Sequence, residues 1–196
     1  MRTIDEGADI LRDGGIIIFP TDTAFAISCR IDRPRSVARL FSVRNRPETK
    51  AVPLLVGSID MAKKYFLDPS KRIDYLMQTY WPGGLTIIGK SGSADIFPLL
   101  LGGGTSVGLR MPDHNTALDL IASVGVPLVG TSANFSGGQT PYSLFDLHDD
   151  LIARVDGVVG GVCTKQIAST VIDCTIEPPV IVRQGAVDVI WGGYTA

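Results

Sequence analysis

The apolar run Val126 to Val129 breaks off into Gly130 to Gly138, a stretch made mostly of glycine, serine, threonine and asparagine. A short apolar run bounded by turn formers reads as a buried strand rather than a helix. The chain repeats this device at Ile16 to Phe19, ended by Pro20, at Val52 to Val56 and at Leu85 to Ile88. Segments with helical spacing lie between them: Ile4, Ala8 and Leu11; Val37, Leu40 and Phe41; Ile73, Leu76, Met77 and Tyr80. Strands apolar on both faces, interleaved with amphipathic helices, restrict the chain to an α/β architecture. The expectation is a three-layer single domain over residues 1–196, around a twisted, mixed sheet. Ligands of such sheets bind past the carboxyl ends of strands. A loop of glycine and small hydroxylated residues lets backbone N–H groups approach a ligand closely. Taken alone, Gly130 to Gly138 reads equally as a polar turn closing a strand.

Local signals fill in the rest. Thr3 with Glu6 fits a capping box, and Gly14-Gly15 a helix stop. Asp32, Ser58 and Asn115 read as helix caps, and Ser143 as the cap of a helix running to about Arg154. Leu99 to Ser106, with three consecutive glycines, reads as a mobile loop. Ala24 to Cys29, Val107 to Arg110, Val158-Val159, Thr170 to Ile172 and Val180 to Val182 complete the strands.

Composition excludes several classes of protein. No apolar run reaches the ~18 residues of a membrane span, and the N-terminus is too polar for a signal peptide. Three cysteines without a CxxC pair fit a reduced, cytoplasmic compartment. With only His114 and His148, no zinc or iron site is visible. The net charge is −2, yet seven basic residues lie between Arg30 and Lys50 against Asp32 and Glu48. Such a local surplus is a solvated helix face or the wall of a basic concavity.

Four motifs bear on chemistry. Gly84-x-x-x-x-Gly89-Lys90-Ser91 matches the P-loop expression, but Leu85 to Ile88 reads as a strand interior and no helix follows. The match is rejected, because a P-loop needs a glycine-rich loop opening a helix. Pro20-Thr21-Asp22-Thr23 is a turn between strands that offers small polar groups to a ligand, Asp22 being an ordinary turn residue. Arg44, Arg46 and Lys50 suit either a helix C-terminus or a phosphate clamp. Arg110, leaving a strand just before Met111-Pro112, is a surface residue or an anion ligand.

Together these pieces resemble the YrdC-like family of threonylcarbamoyl-adenylate synthases. PTDTAFAISC, SVRNRPETKAVPLLV, WPGGLTII, VGLRMPDH, GVPLVGTSANFSGG, ASTVID and PPVIVRQG follow in family order, from about Gly14 to Gly185. The chain ends before the extra C-terminal domain of the long family variant would fit. The resemblance implies a twisted mixed sheet with a basic concave face. It also implies a reaction joining L-threonine, bicarbonate and ATP into threonylcarbamoyl-AMP and pyrophosphate, for tRNA modification with downstream proteins. By the same resemblance Thr23, Arg110, Gly130 and Ser169 hold threonine. Arg44, Arg46, Lys50, Ser106, Ser132, Asn134, Thr140 and Arg183 surround ATP, with Arg46, Lys50 and Ser132 carrying the transfer. Mg²⁺ would be bound mainly through the phosphates. Arg44 stands where the family has lysine, which implies that its charge matters more than its shape. Leu55 stands where some members have a ligand-contacting histidine, Ala168 replaces a frequent glutamate, and Phe25, Ala26 and Ser28 replace the common tyrosine and glycines of the first motif. The alternative is an RNA-binding relative with weak or no synthase activity.

Overall fold

The computed structural model describes residues 1–93 and 95–191. Ten strands and six α-helices alternate along them. In chain order they are α1 (Ile4–Arg12), β1 (Ile17–Pro20), β2 (Phe25–Ser28), α2 (Pro34–Val43), β3 (Leu54–Leu55), α3 (Ile59–Lys63), α4 (Lys71–Tyr80) and β4 (Leu85–Lys90). There follow β5 (Ser106–Arg110), α5 (Asn115–Val124), β6 (Leu128–Val129), β7 (Thr131–Ser132), α6 (Asp149–Ile152), β8 (Gly157–Val158), β9 (Thr170–Asp173) and β10 (Val180–Arg183). The mixed α/β expectation holds, with the strands shared between two sheets. One has the order β7-β2-β1-β8 and the other β10-β9-β4-β5-β3-β6. Both mix directions: β1 is antiparallel to β2 and parallel to β8, while β4 is antiparallel to β5 and parallel to β9.

The apolar strand β1 shows why the sequence lacks alternation there. Ile16 and Ile18 pack into one cluster with Phe25, Ile27, Leu40 and Leu54, whereas Ile17 and Phe19 pack into another with Leu11, Leu120 and Ile121. Both faces of the strand are covered, so every position is apolar. Thr3 and Glu6 form the expected capping box of α1. The segment Leu85–Lys90 is a strand, which disposes of the P-loop match.

Three local expectations are corrected. Asp32 does not cap α2: its carboxylate receives Nε and Nη2 of Arg30 at 2.9 and 2.7 Å, and the helix starts behind Arg33 with Pro34 in its first turn. The helix expected from Ser143 is broken. Ser143 and Asp146 cap only a 3₁₀ turn, Leu144–Asp146, and Leu147 is extended before α6 starts behind His148. Asn115 does not cap α5: it is the first residue of the helix, which starts behind His114 without a side-chain capping hydrogen bond.

Asp156 ties α2 to the strand pair β1–β8. It accepts from Ile16 N at 2.7 Å and from both terminal nitrogens of Arg39. The Arg39 hydrogen bonds, with help from Ile16 N–H, hold its carboxyl below the ordinary carboxylate range. A depressed folded-state value means stability that is complete above the unfolded value and lost as pH falls through the folded one. Asp156→Asn should therefore lower the urea midpoint at neutral pH. That gap should shrink below about pH 4; a gap independent of pH would contradict the assignment.

Candidate functional site

The chain leaves one sheet for the other at Gly130. Leu128 and Val129 pair with β3, and the next two residues but one, Thr131 and Ser132, pair with β2. Gly130 N–H donates to Pro53 O at 2.7 Å, and a Cβ at this position would stand 2.8 Å from Leu55 Cγ. Only glycine permits so close an approach without displacing Leu55. A cavity of about 210 Å³ opens where the two sheets meet.

Among the described residues, four guanidinium groups and no carboxylate line that cavity: Arg44, Arg46, Arg110 and Arg183. Two of them are buried, Arg44 at 2% exposure and Arg110 at 6%. Arg110 Nε donates to Gly83 O at 2.9 Å, Nη1 to Thr23 Oγ1 at 2.6 Å, and Nη2 to the buried carboxylate of Asp22. Arg44 donates from Nε to Asn134 O and from Nη2 to Asn134 Oδ1, at 2.9 and 3.0 Å, and from Nη1 to Thr131 Oγ1. Its own carbonyl accepts from Ser136 N at 2.8 Å. Arg46 donates to the carbonyls of Lys50 and Ala51. Arg183 donates to the carbonyl and hydroxyl of Ser169, whose Oγ lies 2.9 Å from Thr86 Oγ1.

Burial lowers the proton affinity of all four. Arg44 falls to about 10, through burial and then the nearby charge of Arg46. Arg46 and Arg183 are lowered by loss of water. Arg110 is lowered by burial, against the opposing pull of Asp22. Cations stripped of water and hydrogen-bonded to neutral acceptors are strongly stabilised by an anion. The cavity is therefore built to receive negative charge.

Nine residues singled out in the sequence line this wall: Thr23, Arg44, Arg46, Arg110, Gly130, Ser132, Thr140, Ser169 and Arg183. Lys50, Ser106 and Asn134 are not among the lining residues. Ser106 starts β5, opposite Lys90, and Arg110 ends it, so the two are roughly 13 Å apart. Asn134 faces inward, with Oδ1 accepting from Ser132 Oγ at 2.6 Å and from Arg44, and Nδ2 donating to Gly138 O. The residues that sequence reasoning undervalued are Asp22, Thr131 and Thr86. Each is buried behind the wall or within it and bonded to a lining residue, a placement that only the fold reveals. Among the described residues no group of three or more His, Cys, Asp or Glu converges as a metal site.

The model for the family of Sua5, YciO and YrdC, described as "Telomere recombination", matches residues 9–185. The chain belongs to the Sua5/YciO/YrdC family. Within it, the chain is 30% identical over 185 residues to a Bacillus subtilis protein named threonylcarbamoyl-AMP synthase, covering 94% of this chain and 54% of that one. It is 30% identical over 191 residues to Escherichia coli YciO, named as uncharacterized, covering 96% of this chain and 91% of YciO. The structure of Pyrococcus abyssi Sua5 complexed with L-threonine superposes with a TM-score of 0.89 at 30% identity, over 93% of this chain and 54% of that one. The chain thus spans about half the length of the first synthase relatives it matches.

The resemblance implies that the charge of Arg44 matters more than its shape; the hydrogen bonds it makes depend on shape as well. Three of its nitrogens are fixed on Thr131 and Asn134, a fork that an ammonium does not reproduce. Arg44→Lys should cost about 1–3 kcal/mol of stability, read as a lower urea midpoint, and should loosen Thr131 to Asn134 toward proteolysis. An unchanged midpoint would restore the reading in which charge matters more than shape.

Proposed function

We propose that this chain is an L-threonylcarbamoyladenylate synthase, a nucleotidyltransferase that makes threonylcarbamoyl-AMP and pyrophosphate from L-threonine, bicarbonate and ATP. The observation that carries the reading is the sorting of cations in one cavity. Arg44, Arg46 and Arg183 bond neutral acceptors, while Arg110 is paired with a buried carboxylate. The first group suits a polyphosphate and the last a singly charged carboxylate, the two anions that the reaction brings together. Family membership and the name borne by the half-covered relatives support the same activity.

In this reading Arg110 holds the threonine carboxylate, with Thr23, Gly130 and Ser169 around the rest of the amino acid. Arg46 and Arg183, with Ser132 and Thr140, face the nucleotide phosphates. Asn134 and Arg44 serve by fixing Ser132 and its loop. Lys50, whose carbonyl already receives Arg46 Nε, brings a further cation to the phosphate end. Ser106 would join only where the nucleotide extends beyond the cavity. An oxygen of the threonine carbamate attacks the α-phosphorus, the bond to the bridging oxygen of the β-phosphate breaks, and pyrophosphate leaves. The guanidinium groups are already in place where negative charge develops. Mg²⁺ fits as a passenger of the phosphates, since among the described residues no carboxylate lines the cavity to hold it directly. Supply of the adenylate to tRNA-modifying proteins in the cytoplasm follows from the same reading; among the described residues no helix is long and apolar enough to cross a membrane.

The RNA-binding reading has less support. Arg30 is paired with Asp32 and Arg39 with Asp156, while Arg44 and Arg46 turn into the cavity. Four of the seven basic residues between Arg30 and Lys50 are thus engaged within the protein, which leaves Arg33, Arg35 and Lys50 on the exposed surface for a nucleic acid backbone.

Pyrophosphate release should require threonine and bicarbonate together. ATP turnover indifferent to threonine would remove the synthase reading. Arg110→Ala would strand Asp22 as a buried charge and threaten folding, so Arg110→Lys is the better probe. It keeps a cation and loses the fork. Threonine should bind roughly ten- to a hundredfold more weakly by calorimetry, with ATP affinity near normal. A loss confined to ATP would place the amino acid elsewhere.

A further inference from the structure

Asp22 does not line the cavity, and at 1% exposure it is among the most buried charged groups of the protein. Its Oδ1 accepts from Arg110 Nη2 and from Asp113 N at 3.3 Å. Its Oδ2 makes no hydrogen bond, with Lys165 Nζ at 3.5 Å on the outer side. Lys165 is about one-third exposed, so solvent screens its charge far more than that of Arg110. The backbone is tied as well: Asp22 O accepts from Lys165 N at 2.7 Å. Of the four cavity arginines, Arg110 alone has a carboxylate partner among the described residues.

We propose that Asp22 is a specificity-determining residue that keeps phosphate groups out of the amino-acid end of the cavity. This rests on the functional reading above and deepens it. A lone buried guanidinium beside Arg183 would attract a phosphate as readily as a carboxylate, and the nucleotide phosphates are held in the same cavity. Asp22 offsets the charge of Arg110 while leaving one N–H on each of Nη1 and Nη2 free to donate. What remains is a directional donor pair with little net field. A zwitterionic amino acid, with one carboxylate and a positive amine, is accepted there. A multiply charged phosphate is repelled by the carboxylate behind the donors. The two ends of the cavity thus differ in net charge rather than in the kind of donor they present.

Asp22→Asn keeps the shape and the acceptor at Oδ1 while removing the charge. Inorganic phosphate and tripolyphosphate should then displace threonine on the order of tenfold more effectively than in the unaltered protein. The readout is competition calorimetry on full-length protein whose circular dichroism is native. A purely structural role for Asp22 would weaken every ligand without creating phosphate competition. Unchanged phosphate competition in the folded variant would overturn the proposal. Lys165→Met provides a probe of opposite sign on the protein surface. With its second cation gone, Asp22 should offset Arg110 more completely, and threonine affinity should fall severalfold while ATP affinity holds. Unchanged or tighter threonine binding would count against the idea, whether or not Asp22→Asn folds. If the unaltered protein binds no threonine, the synthase reading fails. The present inference is then still decided by the number of tripolyphosphate sites: one more in Asp22→Asn upholds it, and an equal number rejects it.

Discussion

The close contact at Gly130 is the constraint on which the site depends. Its N–H reaches Pro53 O, and its missing side chain leaves room for Leu55. This approach lets one extended segment end a six-stranded sheet at Val129 and join a four-stranded sheet at Thr131. The cavity opens where the two sheets are joined, and the backbone that joins them also carries Thr131 and Ser132 into its wall. A β-carbon at this point would act on the fold and the site at once.

Electrostatics takes over where packing stops. Arg44, Arg46 and Arg183 are held by carbonyls, hydroxyls and an amide, which fix their geometry without neutralising them. Arg110 is held by Asp22, which fixes geometry and removes charge together. Partial burial makes each difference larger than it would be in water, since the same charges interact more strongly where solvent is scarce. A cavity with one kind of cation can in this way present two different affinities, and the proposed reaction needs two, one for a nucleotide and one for an amino acid.

Hydrophobic periodicity and turn chemistry carried much of the fold. The four-residue apolar run at Ile16 to Phe19 declared a strand covered on both faces, and Thr3 with Glu6 declared the start of α1. Expectation failed where a polar side chain had a stronger competitor in space. Asp32 looked like a cap and bonds Arg30 instead, and Asp146 turns back on Ser143 and Tyr142 to end a helix that the pattern would have continued. Most of the lining residues were legible because they fall just past strand ends or in glycine-rich turns. Asp22 was visible only as a turn residue, and Arg44 only as a charge.

By itself, then, the sequence determined the α/β class, the position of most strands and the family to which the chain belongs, because these rest on local periodicity and on motifs contiguous in the chain. Tertiary structure alone decided which polar groups meet. Arg110 lies 88 residues from Asp22, and Arg44 lies 90 from Asn134. Whether an arginine is a free anion ligand, a loop clamp or half of a buried pair depends on those distant partners. Its net charge and its geometry follow from them, and no local pattern encodes them.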